Sequence, residues 1–223
     1  TYDTANPTLA VDGDSSRNAN AAFQITGSAA DNYGISSVTI TQNGTAIPPA
    51  SIAYGGSAQS RTWTLANLPR NPASMGALLL ADGTFTYQIY ATDLATKTSS
   101  TSTVTVTVDR TAPNVNNITA PLAGQTGTNA LGGGSDLFRG NAGDAGVGGA
   151  KIWYAIDKNA AAPAITTTPS DAGYTEVATG GSWSFSKTIG SGAGELAQGL
   201  GYYLHVLAED SSGNRTATAS AAN

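Results

Sequence analysis

Apolar and polar residues alternate along this chain in short runs, with Gly, Asn, Asp and Pro gathered between them. Phe85 to Asp93 reads F-T-Y-Q-I-Y-A-T-D and Val104 to Val108 reads V-T-V-T-V. Successive side chains of a strand point to opposite faces, so a period of two predicts half-buried β-strands, here with Phe85, Tyr87 and Ile89 turned inward. Phe23 and Ile25 begin another such run; a turn follows at Asp31 to Gly34, and Ile35, Val38 and Ile40 mark the next strand. A helix needs a 3.6-residue period, which no segment sustains. Ser74 to Ala81 (S-M-G-A-L-L-L-A) allows one helical turn, interrupted by Gly76. The prediction is an all-β protein.

The pattern occurs twice. Tyr2 to Leu9 (Y-D-T-A-N-P-T-L) matches Val108 to Val115 (V-D-R-T-A-P-N-V) without a gap. Downstream of the second junction, Leu137 and Phe138 follow Asp136, a turn spans Asp144 to Gly149, and Ile152, Tyr154 and Ile156 share a face. Arg61 to Leu65 (R-T-W-T-L) aligns with Gly181 to Phe185 (G-S-W-S-F), and Phe85 to Asp93 with Tyr202 to Asp210. Each half then reads as about seven short strands with turn residues between them, the signature of an immunoglobulin-like sandwich. The expected domains are 1–109 and 110–223. Trp63 and Trp183 fall at equivalent inward positions, as does Tyr202 with Leu204 and Val206. Trp153 has the opposite parity and calls for cover from the long Lys158–Gly173 insertion, or else is exposed.

Composition narrows the functional classes. At 223 residues the chain can bury two cores of ordinary size. Only 11% of residues are charged, and the net charge is −5 with ten Lys and Arg, which argues against nucleic acid as a partner. There is no cysteine, hence neither a disulfide framework nor a thiolate metal site. No apolar run is long enough to span a membrane and no signal-peptide pattern opens the chain. It begins at Thr1 without Met, as expected of a segment excised from a longer array.

The A-x-D ending shared by Ala91–Asp93 and Ala208–Asp210, the S-S-G-N-R-T turn at Ser211 to Thr216, and the V-D-x-T-A-P linker resemble the bacterial immunoglobulin-like repeats of large surface adhesins. The resemblance covers essentially the whole chain as two consecutive repeats. It implies an extracellular, cell-surface location and calcium bound where repeats meet. Fold alone does not assign function, since such repeats also act as spacers in secreted enzymes.

The aspartates are the candidate chemistry. In an immunoglobulin-like sandwich the B–C and F–G loops lie at the end where the chain enters, so Asp31 and Asp93 are expected to face Asp3. By the same logic Asp144 and Asp210 are expected to face Asp109. Three carboxylates from three loops supply hard oxygen ligands for Ca²⁺, completed by carbonyls and water. The first half departs from the pattern, with Leu94 to Thr98 (L-A-T-K-T) bringing Lys97 near, and Arg110 adjoins Asp109. The competing explanation is that each aspartate accepts backbone N–H bonds within its own turn.

Other candidates are weaker. His205, the one histidine, aligns with Gln88 on the face opposite Leu204 and Val206, an outward strand position without a triad or zinc partner. Glu176, Glu195 and Glu209 scatter over unrelated segments. Asp12 and Asp14 (D-G-D) lack the closing Glu of an EF-hand and suit a hairpin turn. Thr101, Thr103, Thr105 and Thr107 form an outward ladder, as good β-formers do on an exposed strand. No nucleophile–base pair or phosphate-cradling loop assembles, and Gly132 to Gly134 and Gly146 to Gly149 serve turns, so an enzyme is not expected. The leading expectation is a non-catalytic stalk whose partners are neighbouring repeats of the same chain. The alternatives are a module for a glycan or host protein, using loops Ala46 to Ser60 and Lys158 to Gly180, and an accessory domain of a secreted hydrolase.

Overall fold

The computed structural model describes residues 3–79, 81–120, 130–131, 138–144, 146, 151–165, 168–188, 193, 195–197 and 200–220. Tyr2, Leu80, Gly132–Gly134, Asp136, Leu137 and most of the Asp144–Gly149 turn, named above, lie outside them. The chain divides into two compact units, Thr1–Arg110 and Thr111–Asn223. The described residues are strands and turns, with 3₁₀ turns at Pro49–Ser51 and Ser170–Ala172.

The first unit holds β1 Thr8–Val11, β2 Ser16–Ala19, β3 Phe23–Ala30, β4 Ile35–Gln42, β5 Thr45–Ala46, β6 Ile52–Gly56, β7 Ser60–Leu68, β8 Gly83–Asp93 and β9 Ser102–Val108. One sheet has the order β1-β3-β7-β6 and the other β2-β9-β8-β4-β5. This is an immunoglobulin-like sandwich, its inner faces closed by Ile25, Trp63, Leu65, Tyr87, Ile89 and Val106. Phe85, Tyr87 and Ile89 point inward as the alternation requires.

Asp12 to Asp14 is not a hairpin. Strand β1 pairs antiparallel with β3, whereas β2 pairs parallel with β9, so D-G-D carries the chain from one sheet to the other. Gly13 takes φ +76° at the switch, and Arg17 donates from Nε to Asp14 O and from Nη2 to Asp12 O.

The described residues of the Ser74 to Ala81 run form bends at 75–77 and a bridge at Leu78 rather than a helical turn. Its backbone is held by Arg70, whose guanidinium donates to the carbonyls of Ala66 and Gly76. Gln42 exchanges hydrogen bonds with the Arg70 backbone, both 2.7 Å, and accepts one from Tyr87 Oη at 3.1 Å. Burial pushes the Tyr87 phenol well above its ordinary value, and Arg70 partly offsets this.

The second unit holds β10 Asn114–Ala120, β11 Ala130–Leu131, β12 Phe138–Gly143, β13 Lys151–Asp157, β14 Thr175–Thr179, β15 Ser182–Phe185, β16 Lys187–Thr188, β17 Tyr203–Glu209 and β18 Arg215–Ser220. Its sheets run β10-β12-β15 and β14-β13-β17-β18, with β11 and β16 paired separately. Phe138, Ile152, Trp183, Leu204 and Val206 fill the space between them, and Phe185 stacks on Phe138 and Tyr154.

The second unit has a third layer. On the far side of β13 and β17, Ala155, Leu207 and Tyr174 form a small core with Trp153, Ile165 and Ala172. Ile165, Ala172 and Tyr174 thus cover the face that alternation marks as outward. His205 lies on that face yet is 0% exposed, which corrects the solvent-facing expectation. Its Nε2 is 3.2 Å from Asp157 Oδ1 and 3.1 Å from Asn159 O, so the ring fastens the start of the insertion. Both partners are acceptors, which puts the proton on Nε2.

Candidate metal centre

Asp3 precedes β1, Asp31 follows β3 and Asp93 ends β8. One carboxylate oxygen from each lies within 4.8 Å of the other two. All three residues are buried: Asp3 is 9% exposed, Asp31 8% and Asp93 1%. The sandwich topology is the cause, since the loops after β3 and β8 and the incoming chain share one end.

The two explanations of these aspartates bear on different oxygens. Asp3 Oδ1 accepts from Ala5 N at 3.1 Å, Asp31 Oδ1 from Tyr33 N at 2.7 Å and Gly34 N at 3.2 Å, and Asp93 Oδ1 from Lys97 N at 2.8 Å. These are side-chain-to-backbone turns. Asp3 Oδ2 and Asp93 Oδ2, however, are buried and have no hydrogen-bond partner. A buried acceptor without a donor costs about 1–3 kcal/mol, and more when charged. Carboxylates at this spacing also repel by roughly 3–4 kcal/mol per pair at an effective dielectric constant near 20.

A calcium ion fits these residues. It binds oxygens at about 2.3–2.6 Å, so any two ligand oxygens of one ion lie within about 5 Å of each other. One carboxylate oxygen from each residue, all within 4.8 Å, satisfies that limit, and Asp3 and Asp93 each carry a buried oxygen that lacks any other partner. The donor set is all oxygen, which favours a hard cation over a thiophilic metal.

Lys97 lies beside the first acidic set as its position suggested, its backbone N donating to Asp93 Oδ1. Lys97 forms no ion pair with an acidic side chain among the described residues. Arg110 directs Nη1 toward Asp82 Oδ1 at 3.8 Å and Nη2 to Leu79 O, and its backbone N donates to the same Asp82 oxygen. Despite the divergent sequence, the turn after Asp93 has the backbone of the turn after Asp210. Thr96 N donates to Asp93 O and Gly213 N to Asp210 O, both at 3.2 Å, with φ of +69° and +86°.

In the second unit one oxygen of Asp144 lies within 4.8 Å of one of Asp210. Asp144 Oδ1 accepts from Gly146 N, while its Oδ2 is buried without a partner. Asp210 is more fully engaged: Oδ1 accepts from Ser212 N and Asn214 N, and Oδ2 from Asn214 Nδ2 at 2.7 Å. Asp109 closes the first unit, 2% exposed, its N–H donating to Ala19 O.

The remaining acidic and aromatic candidates have local roles. Glu176 pairs with Lys151 at 3.7 Å and Glu209 with Arg215. Trp63 and Trp183 are core residues, and Trp153 is half-buried beneath the insertion. The threonine ladder is wider than one strand, because Thr105 and Thr107 stand opposite Thr86 and Thr84 on β8. The inward neighbours Val104, Val106 and Val108 account for the alternation. No helix among the described residues is long and apolar enough to cross a membrane.

No protein-family model matches the chain, and no curated protein does. Solved structures that resemble it include the fibronectin(III)-like modules of Clostridium thermocellum CbhA, at 14% identity and TM-score 0.47, over 96% of this chain and 92% of that one. An I-band fragment of titin matches at 10% identity and TM-score 0.47, over 98% of this chain and 65% of that one. A mutant of the SrpA adhesin from Streptococcus sanguinis matches at 19% identity and TM-score 0.31, over 56% of this chain and 69% of that one. These likenesses are distant and transfer no partner or role to this chain.

Proposed function

We propose that the chain is a non-catalytic spacer: two tandem immunoglobulin-like sandwiches from the array of a bacterial surface adhesin, stiffened by Ca²⁺ where the chain enters a module. The observation that carries this is the pair of buried carboxylate oxygens, Asp3 Oδ2 and Asp93 Oδ2, that no donor satisfies. An ion shared by Asp3, Asp31 and Asp93 ties the incoming segment to two loops of the first sandwich. It replaces mutual repulsion with attraction, so the segment leaves the module at a fixed angle. The repeat alignment extends the same expectation to Asp109, Asp144 and Asp210. Neighbouring repeats are the natural partners, outside the cell.

The inserted loops give less support to a glycan- or receptor-binding module. Ile165, Ala172 and Tyr174 pack against their own sheet. Calorimetric titration with Ca²⁺, together with melts in calcium and in chelator, tests the proposal. Binding and a raised melting temperature of the first module are expected. Identical melts with no heat of binding would leave the aspartates as turn residues and the linker stiffened by Pro113 and packing alone.

A further inference from the structure

The turns that follow Asp93 and Asp210 share one backbone and no side chain, and the fourth side chain is the one that bears on the carboxylate. Four residues on, the first has Lys97 and the second Asn214. The main chain makes the same bond four residues on in both: Lys97 N donates to Asp93 Oδ1 at 2.8 Å and Asn214 N to Asp210 Oδ1 at 2.9 Å, with Ser212 N adding a second donor to Asp210 Oδ1. Asp93 N and Asp210 N donate back to Lys97 O and Asn214 O, at 3.0 and 3.1 Å. The second oxygens part company. Asn214 Nδ2 donates to Asp210 Oδ2 at 2.7 Å and lies 3.4 Å from Thr111 O, whereas Asp93 Oδ2 has no donor.

We infer that the two acidic sets are unequal toward calcium: Asp3, Asp31 and Asp93 take the ion, and in the second half the Asn214 amide holds the place on Asp210 that the ion would fill. This rests on the acidic sets being cation sites. An amide N–H₂ is positively polarised and satisfies a carboxylate and a carbonyl at once, which is what a hard cation does with the same two oxygens. An ion binding at Asp210 Oδ2 therefore competes with a made hydrogen bond for that oxygen. At Asp93 it meets a buried oxygen that nothing solvates, so binding there gains the full interaction. The lysine at the first site donates only through its backbone and leaves the carboxylate open.

The test is calorimetric titration of the whole chain with Ca²⁺, on the wild type and four variants. The wild type is expected to take up one tight equivalent, lost in Asp93→Ala and retained in Asp210→Ala. Lys97→Asn should weaken that equivalent tenfold or more, although it removes a positive charge and so would strengthen cation binding if charge alone mattered. Asn214→Ala, which keeps the backbone donor, should tighten uptake in the second half at least tenfold. Two equal sites, or weaker binding in Asn214→Ala, would overturn the inference and make Asn214 an oxygen ligand, with the cation reading intact. No uptake by any variant would overturn both.

Discussion

The sharpest test of the metal centre is Asp93→Asn, because its stabilising effect is expected to shrink or reverse with calcium. Asn keeps the acceptor that Lys97 N uses and removes one of three charges whose oxygens lie within 4.8 Å of each other. At an effective dielectric constant near 20 each pair repels by roughly 3–4 kcal/mol, so neutralising one residue removes two of three such terms, about 7 kcal/mol gross. Relaxation and screening reduce this, and a net gain on the order of 2–3 kcal/mol is the expectation in chelator. For a domain of this size about 1 kcal/mol moves the melting temperature by roughly 4–8 °C, so the variant should melt roughly 8–24 °C higher than wild type without calcium. At a hundredfold excess of calcium over Kd the wild type gains about 2.7 kcal/mol, and the variant gains much less. The two melting curves of the first module should therefore approach or exchange order when calcium is added. Differential scanning calorimetry in chelator and in calcium reads this directly. If Asp93→Asn melts below wild type in chelator, with the same response to calcium, the carboxylates do not repel and share no ion.

Three further outcomes follow from the first unit. Gly27→Ala should destabilise it by on the order of 1–3 kcal/mol, because an added Cβ would fall 2.2 Å from Ala10 O and 2.5 Å from the Trp63 ring; urea denaturation checks this. Thr96→Gly should stabilise it by roughly 0.5–1 kcal/mol, since a β-branched residue is held at φ +69° where its counterpart is Gly213, and a raised urea midpoint would show it. Burial, opposed by Arg70, raises the Tyr87 phenol above its ordinary value of 10.0. Its contribution is therefore complete below about pH 10 and declines above that as the unfolded phenol ionises, so urea midpoints should fall at alkaline pH and fall less in Tyr87→Phe.

Strand positions were legible because a period of two is local: Phe85, Tyr87 and Ile89 had to share a face whatever they packed against. The meeting of Asp3, Asp31 and Asp93 was legible at one remove, since the turn residues were visible and the sandwich topology puts those loops at one end. What escaped was non-local. D-G-D looks like a hairpin until β2 is seen to pair with β9, nearly ninety positions away in sequence, in parallel. His205 had its parity read correctly, but parity says which side a residue takes and not what lies there; Ile165 and Tyr174 of the insertion bury that side. The aspartates show the limit most clearly. Sequence marks Asp93 and Asp210 as equivalent, and their Oδ1 atoms share the bond from the residue four on, although Asp210 Oδ1 also accepts from Ser212 N. Their Oδ2 atoms differ through one side chain four residues on, and whether that side chain reaches back is a matter of geometry. A turn aspartate has two oxygens but often only one structural duty. The chemistry, where there is any, belongs to the oxygen the turn leaves over.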